Sequence, residues 1–231
     1  GKAPAELAAE VTAHLATVEQ AMGRTLGDPI NPLLVSVRSG AAFSMPGMME
    51  TVLNIGLNDD SVLGLAGMAG ERFAWDSYRR LLQMFGKTVL GIDSEVFEAR
   101  IEQVKHARRI VEDTELTAAD LAALCGSFKT AIFNATGERF PQDPRQQLDA
   151  AVEAVFRSWS GDRAVLYRRQ ERIPNDLGTA VNIQTMVFGN MSDDSGTGVC
   201  FTRDPSTGDV GVYGDFLMNA QGEDVVAGIR T

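Results

Sequence analysis

Apolar positions recur at helical spacing at the start of the chain. Leu7, Val11, Leu15, Val18 and Met22 fall on one face of a helix predicted over residues 4–22. Gly23 and Gly27 close it, and residues 28–32, Asp-Pro-Ile-Asn-Pro, form a turn into the next element. The pattern then changes. Residues 33–37, Leu-Leu-Val-Ser-Val, have the composition of a buried strand, with Arg38 at its end. Small residues follow at 39–42, then the pair Pro46-Gly47, and residues 48–57 read as a segment able to restart a helix.

From residue 61 to 160 the helical period dominates. Phe73, Tyr78, Leu81, Leu82, Phe85 and Val89 make one helical face; Val96, Phe97, Ile101 and Val104 make another. Thr117 and Asp120 form a capping box that starts a helix carrying Leu121, Leu124, Phe128 and Ile132, closed by Gly137. Asp143 is an N-cap with Pro144 at the first helical position, opening a helix through Leu148, Val152, Val155, Phe156 and Trp159 that ends at Gly161. The faces look complete, so the block is expected to pack largely on itself. After it the period switches to two: residues 164–167, 179–188, 199–202, 210–220 and 225–229 read as strands. The order predicts an α+β nucleotide-binding domain: a first part over residues 1–60, an all-helical subdomain over 61–161, and a β-rich second part over 162–231.

Composition narrows the functions. A net charge of −10 over 231 residues argues against nucleic acid as partner, which asks for a basic face. No run of 18 apolar residues suggests a membrane span, and the first residues show no secretion signal. Cys125 and Cys200 have no metal-ligand spacing and are expected as two buried free thiols in a cytoplasmic protein. His14 and His106 sit in helical patterns and read as surface residues.

The chemistry gathers around Arg38. A strand that delivers a fixed cation into a small-residue turn with free N–H groups suits an oligophosphate. Arginine suits it further, because its planar fork grips phosphate oxygens at two points and stays charged. By itself an Arg-Ser-Gly motif more often means an arginine paired with a carboxylate, with Met45, Met48 and Met49 filling core. Residues 195–198 and 204–208 invite a phosphate-loop reading, but neither ends in the Gly-Lys-Ser/Thr of that motif, and both are expected as hairpin turns. Asp193-Asp194 reads as a solvated pair and Glu223-Asp224 as a structural one; no metal site is assigned to either.

Residues 36–59, SVRSGAAFSMPGMMETVLNIGLND, resemble the ATP-binding signature of the pyruvate phosphate dikinase family. The resemblance continues through RFAWDSYRRLLQMFG (72–86), AVFRSW (154–159), GTAVNIQTMVFGN (178–190), SGTGVCFTRDPSTG (195–208) and NAQGEDVVAGIRT (219–231). Phosphoenolpyruvate synthase and rifampin phosphotransferase share the Arg-Ser pair but resemble this chain less in the methionine-rich loop and the helical block.

The resemblance implies an ATP-grasp-like fold split by a helical subdomain, with ATP and Mg2+ as ligands. It implies Arg38 as the catalytic arginine on the phosphates, Gly47 and Thr51 as phosphate-loop contacts, and Gln184, Met186 and Val187 as the adenine edge. It also implies a phosphohistidine on a central domain and a C-terminal barrel in the same full-length chain, with a homodimer possible. The family's N-terminal lysine, its acidic metal ligands and its phosphoryl-accepting histidine have no counterpart in these residues. The chain therefore reads as a piece of the first domain, inactive alone. The alternatives are another dikinase of the superfamily or a non-catalytic nucleotide-binding module.

Overall fold

Val35 and Val37 alternate with Ser36 and Arg38, and both valines are fully buried while Arg38 is exposed. That alternation makes β3 (Val35–Gly40) the centre of a three-stranded antiparallel sheet, with β4 (Thr51–Ile55) on one side and β5 (Ala180–Thr185) on the other. The computed structural model describes residues 6–226, mixed helix and strand, in two compact units, Gly1–Met186 and Val187–Thr231. The sheet belongs to the first unit. Its register sets Arg38 opposite Thr51 on β4 and opposite Asn182 on β5, and sets Ser36 opposite Gln184.

α1 (Leu7–Met22) closes on Gly23 in the left-handed conformation, as its glycine predicts. Its apolar stripe is only half-buried, and Met22 is exposed. The apolar run at 33–37 is broken at Leu34, because β2 (Pro32–Leu33) pairs in parallel with β1 (Thr25–Leu26) before β3 begins.

The helical block holds α2 (Ser61–Ala69), α3 (Glu71–Thr88), α4 (Glu95–Arg108), α5 (Ala118–Thr136) and α6 (Pro144–Ser158). Thr117 caps α5 through the reciprocal bonds with Asp120, and Asp143 caps α6 by accepting from Arg145 N–H. Tyr78, Leu81, Leu82 and Phe85 of α3 and Leu121, Leu124, Phe128 and Ile132 of α5 are buried, and the Phe97 and Phe128 rings meet edge to face at 5.0 Å. Full burial of one such side chain contributes about 1.5–3 kcal/mol.

Two helices also rest on the sheet. Asn54, fully buried on β4 with φ at 61°, donates its amide to the Ser77 carbonyl of α3 at 3.1 Å. Gln147 of α6 is fully buried; it accepts from Gly56 N–H at 3.1 Å and donates to the carbonyls of Leu57 at 2.9 Å and Pro141 at 2.8 Å. On α3, burial alone would push the Asp76 carboxyl up. Arg79 at 2.7 Å and Arg80 at 3.0 Å outweigh it and hold the carboxyl well below the usual range.

Several elements differ from their sequence patterns. Residues 48–57 do not restart a helix. Thr51–Ile55 form β4, because Val52 and Ile55 are buried by pairing with β3, and long-range pairing overrides the helix-start signal of Pro46-Gly47. Residues 164–167 are not a strand but lie in α7 (Asp162–Gln170), whose buried residues Ala164 and Arg168 are one turn apart. Four apolar letters fit either period, and the arginines and glutamine around them favour helix.

In the second unit β6 (Gly196–Arg203) and β7 (Val210–Met218) form an antiparallel hairpin. Its turn is the expected one at residues 204–208, where the Asp204 carboxylate accepts from Ser206 and Thr207 N–H. The turn expected at 195–198 is instead the start of β6, where Gly196 and Gly198 leave room for the Phe216 ring on the partner strand. Val225 lies in α8 (Gly222–Val226) rather than a strand, and residues 227–229 lie outside the described residues.

Cys125 is buried in α5 and burial pushes its thiol up to about 12, against the pull of Arg79 and Lys129, whereas Cys200 is exposed on the β6–β7 ribbon and is not the buried thiol its apolar neighbours suggest. His14 and His106 are exposed, as expected. Among the described residues no helix is long and apolar enough to cross a membrane.

Candidate functional site

The strand period gives the sheet two chemically different faces. Val35, Val37 and Val52 are buried on one. Ser36 and Arg38 of β3, Thr51 of β4, and Asn182 and Gln184 of β5 are brought together by register on the other. Ser36 is buried, Thr51 half-buried, and Arg38, Asn182 and Gln184 are exposed. Arg38 donates Nε–H to Ser36 Oγ at 3.2 Å, and that hydroxyl donates to the Gln184 carbonyl at 3.5 Å. Among the described residues no carboxylate pairs with Arg38. Its orientation is therefore set through Nε, and the two terminal nitrogens of the guanidinium are left to grip an anion.

Gly47 sits in the loop that joins β3 to β4. Its φ of 72° calls for glycine, while an added Cβ would meet open space. The loop bonds to itself from Met48 N–H to the Met45 carbonyl at 3.1 Å, with Met45 buried beneath. Thr51 does not stand at a helix start, as its place after Pro46-Gly47 suggests; it opens β4 directly opposite Arg38. The loop thus leaves the sheet two residues after Arg38 and returns beside it.

The structure brings the expected residues Arg38, Thr51 and Gln184 to one face, with Gly47 in the adjoining loop. It does not bring Met186 and Val187 there in the same sense. Met186 extends the β3–β5 pairing by donating its N–H to the Leu34 carbonyl at 2.9 Å, and Val187 opens the second unit, 91% exposed. Ser36 and Asn182 were missed. The polar residues two apart in β5, Asn182 and Gln184, were the available signal. A further trace is Gly40 at the end of β3, where an added Cβ would lie 2.9 Å from Asn182 Nδ2.

Among the described residues no group of three or more His, Cys, Asp or Glu side chains is arranged to hold a metal ion. What the face offers is one guanidinium, the Thr51 hydroxyl, two exposed amides and a glycine loop, a donor set that suits a polyanion.

A family model described as pyruvate phosphate dikinase, AMP/ATP-binding domain, matches residues 3–231. Pyruvate, phosphate dikinase 2 of Oryza sativa subsp. japonica is 60% identical over 228 residues, covering 99% of this chain and 26% of the relative. The chloroplastic pyruvate, phosphate dikinase of Mesembryanthemum crystallinum is 59% identical over 222 residues, covering 96% of this chain and 23% of the relative. The chloroplastic pyruvate, phosphate dikinase 1 of Zea mays is 58% identical over 228 residues, covering 99% and 24%. The chain spans about a quarter of the length of these curated relatives. It belongs to the pyruvate phosphate dikinase AMP/ATP-binding domain family.

Proposed function

We propose that this chain is the ATP-binding part of a pyruvate, phosphate dikinase. The observation that carries the reading is Arg38, exposed at the centre of a polar sheet face, held at Nε by Ser36 and paired with no carboxylate among the described residues. Phosphoryl transfer asks the protein mainly to position the nucleotide and to neutralise charge spreading over the transferred group. Arg38 is the catalytic residue for that second task. The Gly47 loop offers backbone N–H groups to the phosphates, and Thr51 adds a hydroxyl beside Arg38. Gln184, Met186 and Val187 supply the adenine edge; since Met186 N–H is already donated to Leu34, that edge uses the Met186 carbonyl and the Val187 N–H. Asn182, next to Arg38 on the same face, joins them.

On this reading the domain is ATP-grasp-like, and residues 61–161 are a helical subdomain inserted into it. Magnesium would accompany the nucleotide and offset phosphate charge, and among the described residues no group of three or more His, Cys, Asp or Glu side chains is arranged to hold it. The full-length protein would interconvert ATP, phosphate and pyruvate with AMP, pyrophosphate and phosphoenolpyruvate. The phosphoryl group would pass through a histidine on a central domain to pyruvate at a C-terminal barrel, and the protein would act as a homodimer. Two unpaired cysteines suit a reducing compartment such as the cytoplasm.

The test is to supply the full-length protein with ATP, phosphate, pyruvate and magnesium. AMP and phosphoenolpyruvate should form in equal amounts, and these 231 residues alone should form neither. ATP split only to ADP, or AMP formed with no phosphoenolpyruvate, would overturn the reading, the second in favour of a different acceptor.

A further inference from the structure

We propose that Glu50 is a positioning residue that clamps the Gly47 loop, its own negative charge cancelled by Arg163 so that it does not oppose the phosphates. The inference rests on the nucleotide reading above. Glu50 lies three residues after Gly47 and immediately before Thr51, where the loop joins β4. It is tied to the ends of three helices. Its N–H donates to Ser158 Oγ, at the end of α6, at 3.3 Å. Its Oε2 accepts from Thr88 Oγ1, at the end of α3, at 3.3 Å. Its Oε1 accepts from an Arg163 terminal nitrogen, in the first turn of α7, at 2.8 Å. Met49 Sδ also lies 3.9 Å from Ser158 Oγ. A cleft of about 330 Å³ lined by Met48, Glu50, Thr88, Arg157, Ser158 and Arg163 opens where these ends meet.

The geometry gives Glu50 two effects. Its three bonds fix one end of a loop that otherwise bonds to itself at Met48 and Met45 and rests on the buried Met45. A carboxylate so near a phosphate loop also repels the ligand, and the repulsion is weak only while a cation sits on it. Arg163 is that cation. Its side chain is 65% exposed and that of Glu50 is 30% exposed, so the pair is a modest one whose effect falls with salt.

The experiment compares Glu50→Gln, Arg163→Ala and the double variant in the full-length protein. It reads ATP affinity by titration and amide hydrogen exchange over residues 43–52. Both single variants should speed exchange in that segment and leave α3 and α5 unchanged. ATP binding should weaken about two- to fivefold in Arg163→Ala, the range of exposed ion pairs, and less in Glu50→Gln, where loss of the clamp is offset by loss of the repelling charge. Arg163→Ala should cost more than Glu50→Gln because it leaves the carboxylate bare, and adding Glu50→Gln to it should restore affinity. A purely structural clamp would not produce that ordering. Unchanged loop exchange in both variants, or a double variant weaker than Arg163→Ala, would overturn the proposal. If the unaltered protein fails to bind ATP while the variants still loosen the loop, the nucleotide reading falls and the clamp stands.

Discussion

Arg38→Ala is expected to lower the ATP-dependent rate of the full-length protein by about a hundred- to a thousandfold, the loss seen when one preorganised donor is removed. The fold should survive. Arg38 is exposed, its recorded bond is to Ser36 Oγ, and truncation leaves no buried carboxylate without a partner. A stability change within about 0.5 kcal/mol is therefore expected, as at ordinary surface positions. Arg38→Lys should recover only part of the rate, because an ammonium keeps the charge but cannot grip two oxygens in one plane. The loss should appear in kcat as well as in ATP affinity, since a contact made chiefly to developing charge acts on the barrier. Steady-state kinetics on the two variants, with a thermal melt beside them, decides the point. A variant that keeps its rate removes Arg38 from the mechanism.

Gln147→Leu is expected to destabilise the first unit by about 3 kcal/mol or more. The substitution conserves size and apolar fit, so the loss comes from the bonds alone. It leaves the buried Gly56 N–H and Leu57 carbonyl, and the half-buried Pro141 carbonyl, without the Gln147 partner, and each stranded buried group costs about 1–3 kcal/mol. In thermal unfolding that is a fall of about 6–12 °C for a domain of this size. Gln147→Glu should cost at least as much, because an ionised carboxylate would be buried without a cation and set against the two carbonyl oxygens that the amide now satisfies. A leucine variant that melts with the parent would show that α6 is not fastened to β4 through this side chain.

The parts of the fold that sequence reasoning reached are those decided locally. Thr117, Asp143 and Gly137 act on backbone groups within a turn of themselves, so their caps are legible in a few letters. The faces of α3 and α5 show in their spacing because burial selects one side of a helix. The misread elements lack a decisive local signal. Thr51–Ile55 becomes a strand because β3 is there to pair with it, and residues 164–167 become helix because four letters carry no period.

The site divides in the same way. Arg38 was visible from its setting at the end of an apolar strand. Ser36 lies two residues from Arg38 on the same strand, within reach of the period of two, whereas Asn182 emerges only once register sets a strand from far along the chain beside Arg38. Gln147 and Glu50 look like polar residues on solvated faces, and nothing in their immediate neighbours reveals that one fastens a helix to a strand and the other ties a loop to three helix ends.

The most direct measurement is a structure of the full-length protein with a non-hydrolysable ATP analogue. The account predicts the phosphates within about 3 Å of the Arg38 terminal nitrogens, hydrogen-bonding distance, and against the Gly47 loop, with the adenine at residues 184–187. A nucleotide bound on the opposite face of the sheet, or in the helical block with Arg38 untouched, would contradict it.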